Sequence, residues 1–67
     1  MEILKNLRMK ERFTHQDMAN FLDISKAFYW QIENKQRTLS YKMAVKIASV
    51  FHKRPDEIFL EEFKDKN

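Results

Sequence analysis

The chain has 67 residues, 13 of them Lys or Arg and 10 Asp or Glu, with no cysteine, no glycine and one proline. This length leaves room for one small core in a single domain (residues 1–67). The missing residue types exclude disulfides, thiolate-bound zinc and the glycine-dependent loops that bind nucleotide phosphates. Because glycine and proline punctuate hairpins and sheets, their scarcity predicts an all-α protein.

Charge is distributed unevenly along the chain. Residues 1–54 carry 11 basic and 5 acidic side chains, whereas residues 55–67 carry 2 and 5. A basic body indicates a polyanionic partner, with a merely solvated surface as the alternative. No apolar run approaches the length of a membrane span and no signal peptide opens the chain, which predicts a cytoplasmic protein without membrane contact.

The first 22 residues predict two helices. Apolar spacing places helix 1 over residues 2–12, with a buried face made of Ile3, Leu4 and Leu7. Thr14 is a favourable N-cap for helix 2, and Asp17 supplies the other half of a capping box. The apolar face of helix 2 consists of Met18, Ala19 and Leu22.

A third helix is predicted over about residues 26–34, capped by Ser25 after a three-residue break. Its apolar face is made of Phe28, Tyr29 and Ile32. Two short helices joined so tightly cross at a steep angle, and the outer face of the second one projects. Residues 14–34 therefore predict a helix-turn-helix, whose second helix fits a DNA major groove.

The remaining residues predict a loop and two further helices. Residues 35–39 are polar and aperiodic, and Ser40 then caps a fourth helix that ends at residues 52–54. The apolar stripe of this helix consists of Ala44, Ile47, Ala48 and Phe51, with Val45 beside it. Pro55 suits the first position of a fifth helix, and residues 61–67 form an acidic and polar tail that is expected to fray.

Several short motifs stand in a recognisable order over about residues 3–60. They are Leu7-Arg8, Thr14-His15 with Ala19, Leu22-Asp23-Ile24-Ser25, Ile32-Glu33 with Arg37, Ile47-Ala48, and Pro55 to Phe59. Together they resemble the Cro/repressor (Xre-type) helix-turn-helix family of small bacterial and phage transcription regulators, in which Gln is usual where His15 stands. The resemblance implies a compact five-helix, lambda-repressor-like domain that binds double-stranded DNA. It also implies a nucleoid location through that binding. No nucleophile, base and acid form a catalytic pattern, and neither His15 nor His52 has carboxylates at ligand spacing, so no enzymatic activity, cofactor or metal is predicted.

The resemblance implies which residues contact DNA. The base-contacting positions, on the projecting face of helix 3, are Lys26, Ala27, Trp30 and Gln31. Lysine suits guanine N7 and O6, glutamine suits adenine N6 and N7, and alanine suits a thymine methyl group. Phosphate contacts are expected from His15, Ser25, Asn34, Lys35, Arg37 and Tyr41. The alternatives are a solvated side chain for each cation and, for Trp30, cover over an apolar neighbour or contact with a partner.

Two further sets of residues have structural roles in this interpretation. Arg8 and Glu33 resemble a buried ion pair that ties helix 1 to the end of helix 3. A single recognition helix reads few base pairs, so the family implies a homodimeric repressor on a pseudo-palindromic operator. The dimerisation candidates, unless they complete the monomer core, are Ile58, Leu60 and Phe63.

A second functional hypothesis is a protein-interaction module of the same fold, antitoxin-like or an antirepressor adaptor. Exposed Trp30 and Phe63 would form its contact surface.

The missing glycines also mark specific positions. Asp23, Lys35 and His52 stand at helix ends where members of this family usually have glycine. We therefore expect left-handed backbone at these positions, at a cost of up to about 1 kcal/mol each for Lys35 and His52.

Overall fold

The computed structural model of the chain describes the backbone of residues 1–63 and the side chains of residues 1–60. Within that range the chain forms five α-helices and no strand, which confirms the predicted all-α fold. The helices are α1 (Glu2–Lys10), α2 (His15–Leu22), α3 (Lys26–Glu33), α4 (Tyr41–Val50) and α5 (Pro55–Phe63). Apart from the backbone of its first three residues, the tail predicted to fray (61–67) lies outside the described residues.

Hydroxyl caps fix the start of three helices, as predicted. Thr14 Oγ1 accepts a hydrogen bond from the Asp17 amide at 3.0 Å, and Asp17 Oδ2 accepts one from the Thr14 amide at 2.9 Å. This reciprocal pair is the predicted capping box. Ser25 and Ser40 cap α3 and α4 by accepting from the amides three residues ahead, at 3.0 and 3.1 Å.

Four helix ends have left-handed backbone although none carries glycine. The φ angle is 61° at Arg12, 57° at Asp23, 59° at Lys35 and 57° at His52. The three predicted positions are confirmed. Arg12 was not predicted, because α1 ends two residues earlier than the expected boundary. The amide after each of them donates to the carbonyl five residues back: Phe13 to Arg8, Ile24 to Ala19, Gln36 to Gln31 and Lys53 to Ala48. These bonds are those of the Schellman motif, which normally places glycine at this position.

All five helices contribute to one core. Its buried apolar residues are Leu4, Met18, Ala19, Leu22, Tyr29, Ile32, Ala44, Ile47, Ala48, Ile58 and Phe59. Ala19 has no exposed surface, which confirms its predicted place on the apolar face of α2. Ile3 was wrongly placed on the buried face of α1, because 49 % of its surface is exposed, and Val45 of α4 is also exposed.

The dimerisation candidates fall in different places. Ile58 is 6 % exposed and belongs to the monomer core, so its side chain is not available to a second subunit. Leu60 is 54 % exposed. The side chain of Phe63 lies outside the described residues. Between residues 1 and 63, no helix is both long and apolar enough to cross a membrane.

Candidate nucleic-acid interface

The helix pair α2 and α3 holds one face of α3 in the core and leaves the other outside. Tyr29, Ile32 and Glu33 are the buried residues of α3. Lys26, Ala27 and Trp30 are exposed, and Gln31 is half-buried. The four expected base-contacting residues therefore lie off the buried face of the helix. Trp30 keeps 46 % of its surface exposed.

The structure brings part of the expected phosphate-contacting set together around a shallow cavity. His15, Asn34 and Lys35 line this cavity of about 390 Å³ together with Trp30. Lys5 and Arg8 of α1 line it as well, as do two carboxylates, Glu2 and Glu33. The other members of the set, Ser25, Arg37 and Tyr41, are not part of its lining.

Those other members occupy positions at helix ends and in the loop after α3. The Ser25 oxygen accepts from the Phe28 amide as N-cap of α3, which leaves its hydroxyl hydrogen to donate. Tyr41 is exposed at the first position of α4. Arg37 is exposed in the loop, where its Nε donates to Gln31 Oε1 at 3.1 Å.

A buried ionic cluster joins the C-terminal end of α3 to α1. Arg8 donates from Nε to Glu33 Oε2 at 2.8 Å and from Nη2 to Glu33 Oε1 at 3.0 Å. Its third group, Nη1, donates to the Phe13 carbonyl at 2.9 Å. Tyr29 adds a hydrogen bond from its hydroxyl to Glu33 Oε2 at 2.7 Å. Within the described residues no buried side-chain nitrogen or oxygen lacks a partner, so this buried cluster is fully satisfied.

The cluster shifts the titration of its two acidic members in opposite directions. Burial alone would raise the pKa of Glu33, but hydrogen bonds from Arg8 and Tyr29 outweigh it and hold that pKa below its ordinary value. Burial raises the pKa of Tyr29 far above its ordinary value, and the hydrogen bond to the Glu33 carboxylate adds to this. Near neutral pH, Glu33 is therefore ionised and Tyr29 is neutral.

His15 reaches this cluster from the start of α2. Its Nε2 lies 3.3 Å from Glu33 Oε1, and its ring centroid is 6.1 Å from that of Tyr29. Its side chain keeps 31 % exposure, so one imidazole contacts both the buried carboxylate and the cavity.

Sequence reasoning missed two partners of Glu33. Tyr29 could have been found, because it lies four residues before Glu33 and such pairs share one helix face. Nothing in the sequence pairs His15 with a residue 18 positions away.

Comparison with known proteins identifies a matching family. A family model described as "Helix-turn-helix" matches residues 4–58, which covers all of the elements described above except the ends of α1 and α5. No curated protein and no solved structure matches the chain.

Proposed function

The chain belongs to the Cro/repressor-type, Xre-like helix-turn-helix family of DNA-binding regulators, and from this we propose that it is a sequence-specific repressor. In this proposal α3 enters the major groove of double-stranded DNA, and two copies bind the half-sites of a pseudo-palindromic operator. Half-sites in such operators lie about 34 Å apart, one helical turn of DNA.

The observation that carries the proposal is the two-sided environment of α3. Tyr29 and Glu33 fix the inner face of the helix to α1 and the core, through the hydrogen bonds of the buried cluster. Lys26, Ala27 and Trp30 remain exposed on the other side. A reading surface needs this combination, because base contacts give specificity only when the helix that carries them is held in a fixed orientation.

Charge supports the same proposal. Lys5 and Lys35 line the cavity at the C-terminal end of α3. Lys26 lies at the start of α3, and Arg37 lies in the loop that follows this helix. Lysine and arginine beside a reading helix contact phosphates and release counterions, so binding weakens as salt increases. For contact between two copies of the chain, Leu60 is the dimerisation candidate whose side chain is exposed among the described residues.

The test is selection of bound sequences from random double-stranded DNA at physiological salt, followed by titration of the selected operator. We expect one enriched half-site in two symmetric copies. Affinity for it should exceed that for random DNA at least about 10³-fold and should fall steeply with salt. Lys26→Ala is expected to reduce this discrimination. Lys46→Ala serves as the matched control, since Lys46 is exposed in the middle of α4 and lies near the C-terminal end of α2.

Two results would contradict the proposal. One is the absence of any enriched sequence together with flat salt dependence. The other is a stoichiometric protein partner whose binding is retained in Lys26→Ala and lost in Trp30→Ala. That second result would favour the alternative protein-interaction module, for which the exposed indole of Trp30 is the supporting observation.

A further inference from the structure

A side-chain pair joins α3 to the loop that follows it. Arg37 Nε donates to Gln31 Oε1 at 3.1 Å. The Arg37 guanidinium also lies 4.6 Å from the centroid of the Phe28 ring, and Phe28 packs against the core. A hydrogen bond and a cation–π contact therefore hold the planar guanidinium in place from two sides.

The chemistry of the pair fixes the orientation of the Gln31 amide. A guanidinium has hydrogen-bond donors and no acceptor, so the amide atom that faces Arg37 has to be the oxygen. The amide nitrogen, Nε2, then points away from the cation and can only donate, while Oε1 keeps its second lone pair beside the guanidinium. The remaining N–H groups of Arg37 are donors as well. Gln31 and Arg37 together thus offer hydrogen-bond donors beside the polar face of α3.

This orientation changes the base that suits Gln31. A glutamine that reads adenine uses both amide atoms, since Nε2 donates to N7 while Oε1 accepts from the N6 amino group. Here one lone pair of Oε1 already accepts from Arg37, and an adenine amino group that used the second lone pair would lie beside the positively charged guanidinium, which disfavours it. Guanine presents two acceptors, N7 and O6, in the major groove and carries no donor there.

We propose that Arg37 holds Gln31 as a hydrogen-bond donor, so that this position of the recognition helix selects guanine and rejects adenine. The inference rests on the proposed function, because it requires α3 to lie in the major groove. It replaces the expectation that Gln31 reads adenine, and it gives Arg37 a role in specificity in place of a simple phosphate contact. Arg37 acts through Gln31 and is a positioning residue.

The experiment uses the full chain and the operator recovered by selection. Gln31→Ala first identifies the base pair at which preference is relaxed, and affinity is then measured for all four base pairs there. For the unaltered protein we expect guanine to be preferred over adenine by about tenfold, which is within the range of one good bidentate contact. In Arg37→Met the Gln31 oxygen is released, and the preference is expected to move to adenine. Arg54→Met, at another exposed arginine, is the matched control.

Each other outcome has a distinct meaning. If Arg37→Met weakens binding equally for all four base pairs and lowers the salt slope by about one, Arg37 contacts phosphate and the inference is wrong. A preference of the unaltered protein for adenine at this position would also overturn it. If selection enriches no sequence at all, the proposed function fails first and this inference falls with it. Because Arg37 is exposed, urea unfolding is expected to show that Arg37→Met folds normally.

Discussion

Replacing His52 by glycine is expected to stabilise this protein, although it removes a side chain. His52 has a φ of 57° at the end of α4, where the Cβ of an L-residue crowds a carbonyl oxygen at a gross cost of roughly 1–2 kcal/mol, of which up to about 1 kcal/mol remains relative to glycine. Glycine avoids that crowding but loses more backbone freedom on folding, an opposing effect of about 0.5–1 kcal/mol. The expected net gain in the free energy of unfolding is about 0.5–1 kcal/mol. For a domain of this size, about 1 kcal/mol raises Tm by roughly 4–8 °C.

Urea unfolding followed by circular dichroism, together with thermal melts, measures this gain against two controls. His52→Ala keeps the Cβ atom and should not gain, so the difference between the glycine and alanine variants isolates the left-handed strain. Lys46→Gly places glycine in the middle of the same helix and should lose about 1 kcal/mol. If His52→Gly is no more stable than His52→Ala, the reasoning about left-handed strain is wrong. Lys35→Gly, at a φ of 59°, should add its own gain, because distant sites are additive.

The remaining predictions concern the buried cluster of Arg8, Tyr29 and Glu33. Glu33→Ala should lose about 3–5 kcal/mol in urea unfolding, because it leaves the Arg8 cation buried, whereas Arg8→Met combined with Glu33→Leu should recover most of that loss. Additive losses in the double variant would contradict this coupling. The pKa of Glu33 is lowered on folding, so its stabilisation is complete above the carboxyl pKa of the unfolded chain, about 4.3, and is lost as pH falls further. The pKa of Tyr29 is raised, so its contribution to stability is complete below about pH 10 and is lost as pH rises. The free energy of unfolding measured across pH should therefore fall at both the acidic and the alkaline end. Tyr29→Phe should reduce the fall at the alkaline end.

The fold could be predicted from the sequence because its determinants are local. A cap depends on residues three positions apart, as in Thr14 and Asp17, and the apolar stripe of α4 repeats within three turns. The residue that was placed wrongly on a buried face lies near a helix end. Ile3 is in the first turn of α1, where spacing alone does not distinguish the buried side of the helix from its edge. The left-handed backbone of Arg12 was not predictable, because no residue directly after Lys10 signals the end of a helix.

The candidate site was less predictable because its contacts join distant segments. The family resemblance paired Arg8 with Glu33 across 25 positions, and periodicity alone would not have done so. The approach of His15 to the same carboxylate depends on how α2 crosses α3, which is set by the turn and the core. The exposure of Trp30 could be predicted from its place opposite the apolar face of α3. What the exposed indole contacts depends on the binding partner and not on the fold.

The turn after α3 connects the strain in the backbone to the proposed specificity. In a continuing helix, a residue six positions after Gln31 would lie about 120° around the axis and roughly 9 Å along it. Arg37 reaches Gln31 because the helix ends at Glu33 and the left-handed backbone of Lys35 reverses the chain. The Gln36 amide then donates to the Gln31 carbonyl at 2.7 Å, which brings the next residue back beside the Gln31 side chain. Lys35 thus adopts a left-handed conformation that favours glycine, in the turn that brings Arg37 back beside Gln31. The backbone geometry of this helix end, and not the identity of Gln31 alone, therefore decides which atoms Gln31 can offer to a base.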